Sequence, residues 1–128
     1  MNDFNLTFPC EASQLVRLRR GLAAWLDANR VDEDSRDILV LAAHEAAADA
    51  IEHALPCEHV DVQASLEGAR VSIEVTDTGR GYFEELVAVD ETHERRGGLI
   101  LIRQLIDRVE IRSGTGGTTV QMSQPIPT

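Results

Sequence analysis

Between His44 and Ala54 the chain reads HEAAADAIEHA, small apolar residues interrupted by Glu45, Asp49 and His53. Desolvating a carboxylate is costly unless it is paired, hydrogen-bonded or bound to a metal. Spacing of four stacks Glu45, Asp49 and His53 along one helix face with about 40° of drift per step. Glu52 lies near the azimuth of Glu45, and Leu39, Ala42, Ala43, Ala46, Ala50 and Ile51 supply the opposing apolar surface. Two readings stand: a solvated acidic stripe ending in His53, or a face that holds a metal or a general base. Like charges at i,i+4 destabilise an isolated helix slightly, and a cation between Glu45 and Asp49 would offset that.

Three further stretches have residue types suited to chemistry. Val75-Thr76-Asp77-Thr78-Gly79-Arg80-Gly81 leaves a strand with an aspartate at its end, then places two glycines where a tight turn needs them. A dinucleotide fingerprint is excluded, because Glu84 occupies the third glycine position and the acid precedes the glycines. Glu94-Arg95-Arg96-Gly97-Gly98-Leu99 opens an apolar helix, whose free N–H groups and dipole favour a phosphate. Gly116-Gly117-Thr118-Thr119-Val120 turns into the last strand. Each alone also fits a plain structural role, a strand-ending turn or a glycine cap.

Other constellations fail. His44-Glu45 cannot begin a zinc-protease H-E-x-x-H, since position 48 is alanine. His53, Cys57 and His59 lack a fourth zinc ligand, and Pro56 interrupts them. His44 as a phosphoacceptor lacks a dimerisation hairpin to present it.

The elements that must position these residues follow from periodicity. Phe4-Asn5-Leu6-Thr7-Phe8 alternates up to Pro9, an edge strand. Leu15, Leu18, Leu22, Trp25 and Leu26 recur at helical spacing over about residues 11–29, with Arg17, Arg19 and Arg20 off that stripe, as a solvated or partner-facing surface. Asp32-Glu33-Asp34-Ser35 caps a second helix running to about residue 55, where Pro56 stops it. Alternating runs at 59–66 and 70–76 joined by Glu67-Gly68-Ala69 form a hairpin. A charged, glycine-rich loop over 77–98 with a short helical patch at 84–89 has the length of a functional lid. An apolar helix over 99–106 and a hairpin of 109–112 with 118–122 over 113–117 complete the chain. The sum is an α+β fold, a two-layer α/β sandwich with a mixed, mostly antiparallel sheet and helices on one face.

Composition narrows the function. The 128 residues are 43% apolar, which predicts one folded domain spanning 1–128. Twenty-two acids against twelve bases give −10, arguing against nucleic acid and anionic membrane as partners. All twelve bases are arginine, so P-loop and Schiff-base chemistries that need lysine are excluded. No run approaches the roughly 18 apolar residues of a membrane span, and MNDFNLTFPCEASQ is not a signal peptide. Cys10 and Cys57 are too few for a secreted disulfide framework, so a reducing cytoplasm is expected.

Taken in order, E-x-x-x-D-A-x-x-H-A from Glu45, D-x-G-x-G from Asp77, G-G-L from Gly97 and G-T-x-V from Gly117 resemble the successive boxes of the GHKL ATPase/kinase superfamily. The short length resembles its anti-sigma-factor serine kinase branch, and the likeness covers about residues 6–124. It implies a Bergerat ATP-binding fold, ATP and Mg2+ as cofactors, phosphorylation of a serine on an anti-anti-sigma (STAS) partner, and sequestration of a sigma factor. By the same resemblance Glu45 is the catalytic base and Asp49 the Mg2+ ligand. Asp77 accepts from the adenine amino group, and Gly79 and Gly81 let the backbone pass close to base and sugar. Arg95, Gly97, Gly98 and Leu99 surround the phosphates, Thr118 supports adenine recognition, and His53 is a local orienter. Three departures stand out: aspartate at 49 where asparagine is usual, R-R-G-G-L in place of G-x-G-L, and a short acidic lid over 82–96. Apolar exposure on the first helix or the edge strand would favour a homodimer.

Overall fold

The computed structural model describes residues 3–53, 57–78, 97–114 and 117–127. Strand β1 (Phe4–Pro9) lies at one edge of the sheet, where Pro9, with no N–H to give, is tolerated. A single 3-10 turn (Ala12–Gln14) leads into helix α1 (Leu15–Ala28), which buries Leu15, Leu18, Leu22 and Leu26 along one stripe. The helix is stopped by hydrogen bonding rather than by proline. Val31 N–H donates to the Leu26 carbonyl and Arg30 N–H to that of Asp27, both at 3.0 Å, with Arg30 at a φ of 63°. That is a Schellman closure with arginine in the left-handed position usually given to glycine.

Helix α2 (Glu33–His53) begins at an aspartate cap, since Ser35 N–H donates to the Asp32 carboxylate at 3.0 Å. The Ser35 hydrogen bonds hold the Asp32 carboxyl below its usual 3.8. A lowered native pKa contributes stability that is present above the unfolded value and lost as pH falls through the native one. Asp32→Ala should therefore lower the Tm at pH 7, and the gap to wild type should narrow at a pH below the ordinary carboxylate range. Thermal melts followed by circular dichroism at both pH values check this; a gap that persists in acid would mean that the cap is not the cause.

Strands β2 (His59–Glu67) and β3 (Arg70–Asp77) form the expected hairpin, each one residue longer than its pattern, over a turn where Gly68 takes a φ of 60°. Helix α3 (Gly97–Leu105) follows, then β4 (Arg108–Gly114) and β5 (Gly117–Pro125). The last hairpin is tighter than its sequence suggested, with pairing continuing to Gly114 opposite Gly117. The sheet order is β1-β2-β3-β5-β4, and every described pairing is antiparallel, so no mixed sheet occurs among the described residues.

Alternation fixes the faces. Val71, Ile73 and Val75 of β3, and Val120 and Met122 of β5, point inward with Val60, Val62 and Ala64 of β2 and meet the leucines of α1 and the alanines of α2. The outer face is polar, with Thr76 and Thr119 hydrogen-bonded across it at 3.1 Å. Ala42, Ala43, Ala46, Ala47 and Ala50 are the buried alanines that let α2 lie close to its neighbours. No described helix is long and apolar enough to cross a membrane.

Cys10 and Cys57 are joined by a disulfide, where the composition suggested free thiols. The β1–β2 register explains it: Pro9 pairs with His59 and Cys10 N–H donates to the Glu58 carbonyl at 3.1 Å, which sets the two cysteines side by side.

Candidate active site

Among the described residues the buried polar or charged side chains are Asp49, Asp77 and Thr118, at 6%, 2% and 2% exposure. Their burial follows from element geometry. Asp77 continues the inward series Val71, Ile73, Val75 one step past the apolar core, at the very end of β3. Thr118 does the same at the start of β5, ahead of Val120 and Met122. The β3–β5 register runs to Thr76 opposite Thr119, so Asp77 and Thr118 face each other at its next step. The Thr118 hydroxyl is hydrogen-bonded to that of Ser113 at 3.0 Å. Asp49 is buried on α2, a helix that packs on β3 and β5 as well as on its neighbouring helices.

Gly117 explains how β5 reaches this place. It takes a φ of 135°, and a Cβ there would run into the Asp77 carbonyl oxygen and lie 3.0 Å from its carbon. Thr118 thus reaches its position beside Asp77 because the residue before it has no side chain.

His53, in the last turn of α2, has its Nε2 3.9 Å from the Asp49 carboxylate and 3.6 Å from that of Glu52. Glu45 is one turn before Asp49 but only half-buried, because it lines a groove between α1 and α2 of about 670 Å³. Arg19, Arg20, Val40, Leu41 and His44 line it too, and Leu41, at 40% exposure, is the exposed large hydrophobic among the described residues. The Arg19 guanidinium lies 3.1 Å from His44 Nδ1, an arrangement in which that ring nitrogen is the acceptor. Sequence reading placed Arg19 off the apolar stripe but gave no groove, because a groove needs the docking of α1 on α2.

Gly97 and Gly98 open α3, and Leu99 is buried with Ile102 and Ile106, which anchors that helix start to the core. Gly79, Gly81 and Arg95 lie outside the described residues, as do the helical patch at 84–89 and the lid at 82–96. No group of three or more His, Cys, Asp or Glu able to hold a metal occurs among the described residues. A single buried carboxylate such as Asp49 suits Mg2+, which takes most of its ligands from phosphates and water.

Helices stacked on one face of a five-stranded antiparallel sheet, with two buried acids, make an α+β sandwich consistent with the GHKL fold. The chain belongs to the histidine kinase-like ATPase domain family, whose model matches residues 8–124. No curated protein matches it. Among solved structures it is similar to the RsbU and RsbW domains of Rv1364c from Mycobacterium tuberculosis, at 22% identity and a TM-score of 0.79, over 98% of this chain and 33% of that one. It is also similar to the histidine kinase domain of the blue-light activated histidine kinase EL346 from Erythrobacter litoralis, at 19% identity and a TM-score of 0.60, over 93% of this chain and 66% of that one. A second structure of that kinase gives 20% identity and 0.66, over 93% and 42%. The chain thus spans a third of the first of these chains. At such identities the likeness is one of fold.

Proposed function

We propose that this chain is an ATP-dependent protein-serine kinase that also acts as an anti-sigma factor, holding a sigma factor and phosphorylating an anti-anti-sigma (STAS) partner in the cytoplasm. The observation that carries the reading is the burial of Asp49, Asp77 and Thr118 in a chain of the histidine kinase-like ATPase family. Buried aspartates are rare in protein interiors, and two of them with a buried threonine suit a site for a polar ligand. The neighbour that contains an RsbW domain supports the choice of branch.

In this reading Asp77 accepts from the adenine amino group and the Thr118 hydroxyl steadies the same end of the base. The N–H groups at the start of α3, at Gly97, Gly98 and Leu99, face the phosphates with the positive end of the helix dipole, and Arg95 adds charge. Asp49 would hold Mg2+, which would supply charge neutralisation on the phosphates. Glu45 lines the α1–α2 groove, so a segment lying there would bring its serine hydroxyl to the carboxylate. Glu45 orients that hydroxyl and takes its proton as the phosphoryl group passes to the serine oxygen and ADP leaves.

A second reading is favoured by one residue. Asp49 puts a full negative charge where a carboxamide is usual, next to the triphosphate, which suits a nucleotide-binding module that sequesters partners without transferring phosphate. Incubation with labelled ATP, Mg2+ and a serine-bearing STAS protein separates the two. The kinase reading expects transfer by wild type and a loss of about 100-fold or more in Glu45→Ala. No transfer by wild type, restored in Asp49→Asn, would establish the sequestering module instead.

A further inference from the structure

We infer that the Cys10–Cys57 pair is a reversible thiol–disulfide latch that tunes the affinity of the nucleotide site. The inference rests on the reading of Asp77 and Asp49 as nucleotide-site residues. Cys10 follows β1 and Cys57 precedes β2, with Cα atoms 5.9 Å apart, a separation that a disulfide spans without backbone movement. Both residues are half-buried at the sheet end, within reach of a small thiol or disulfide. A domain with this much buried core does not need a staple, and a bond open to exchange in a reducing compartment acts as a sensor.

Cys57 sits just before the strand end that meets the Asp77 end of β3. Four residues earlier α2 ends at His53, which lies against Asp49. Two residues later comes His59, which clamps the residue after Asp77. His59 N–H donates to the Thr78 hydroxyl at 3.2 Å, and Thr78 N–H donates to the His59 carbonyl at 3.2 Å. The covalent bond therefore holds the start of β2, and through His59 and Thr78 the end of β3, against β1. With the bond open, the same segments are held by the last hydrogen bonds of the ladder, which fray first. Nucleotide binding to the reduced protein must then order these segments, a cost already met in the oxidised form.

The chemistry balances with a low-molecular-weight disulfide as oxidant. One cysteine thiolate attacks a sulfur of that disulfide and expels one thiolate, leaving a mixed disulfide. The second cysteine thiolate attacks the protein sulfur of the mixed disulfide and expels the other. Two electrons pass from the cysteines to the oxidant, which leaves as two thiols carrying the two protons. A dithiol reductant reverses both exchanges.

The test uses the whole chain equilibrated with excess glutathione disulfide or with dithiothreitol, with free thiols counted in each state. Calorimetric titration with ATP and Mg2+ should show binding about fivefold or more tighter in the oxidised form, at the low end of inter-site coupling. The melting temperature should rise on the order of 10 °C on oxidation, as expected for closing a loop of this length. Cys10→Ser and Cys57→Ser should each bind like the reduced protein and ignore dithiothreitol. Equal ATP affinity in the two redox states, or thiols that glutathione disulfide leaves free, would overturn the latch. If neither state binds ATP, the nucleotide reading fails, and the latch is then judged by amide hydrogen exchange at Asp77 and Thr78. That exchange must slow on oxidation, and unchanged exchange would overturn the latch too.

Discussion

Gly117→Ala is expected to lower stability by about 3 kcal/mol and to weaken ATP binding about tenfold or more in the fraction that folds. Two independent penalties add. The φ of 135° at this position is strained for any residue with a Cβ, at about 1–3 kcal/mol. The added methyl would also meet the backbone of Asp77 within the sheet, where neither strand can recede without breaking the ladder. Overpacking of this kind costs about 1–3 kcal/mol, and its relief must move Asp77 itself. Urea denaturation with an unchanged m-value would read the loss directly. Gly68→Ala is the internal control: it shares a positive φ, 60°, but has no atom within 4 Å of the new carbon. It should cost about 1 kcal/mol and leave ATP affinity alone. If both variants lose the same stability and neither changes ATP affinity, the close approach of β5 to Asp77 has no functional weight.

The same glycine shows where sequence reading stops. Periodicity sufficed for α1, α2 and the β2–β3 hairpin, because each is specified by neighbours a few residues apart. Leu15, Leu18, Leu22 and Leu26 mark one face whatever lies opposite, and Asp32 caps α2 through Ser35 alone. Gly116-Gly117 looked like a turn. Its stricter requirement, contact with Asp77, comes from a β3–β5 pairing that joins segments far apart in sequence. The place of β5 between β3 and β4 is hidden for the same reason, and so is the union of Cys10 with Cys57, which needs the β1–β2 register. Glu45 and Asp49 shared a face on paper, yet the docking of α1 on α2 separates them: Asp49 is buried and Glu45 opens onto a groove. The motif order, by contrast, pointed to the family before any packing was known, since backbone–phosphate and carboxylate–base contacts demand particular residues at particular element ends.

Asp77→Ala should cost about 100-fold in ATP affinity while leaving most of the fold intact. A hydrogen bond to a charged group contributes about 1.5–3 kcal/mol, and its loss in a desolvated site leaves the adenine amino group unpaired. Removing a carboxylate that is 2% exposed both relieves desolvation and strips the groups it meets, two effects of opposite sign on stability. Calorimetry with ATP, beside a thermal melt, distinguishes a lost ligand contact from a lost fold. The more selective variant is Asp77→Asn. A carboxylate can only accept, so it matches the amino group of adenine and repels the carbonyl oxygen that guanine presents at the same ring position. An amide can turn its NH2 toward that oxygen. Wild type should therefore prefer ATP over GTP strongly, and Asp77→Asn should narrow the preference by about tenfold or more. An Asp77→Asn protein that keeps both its ATP affinity and its rejection of GTP would remove Asp77 from base recognition. The buried acid at the end of β3 would then need a different ligand to explain it.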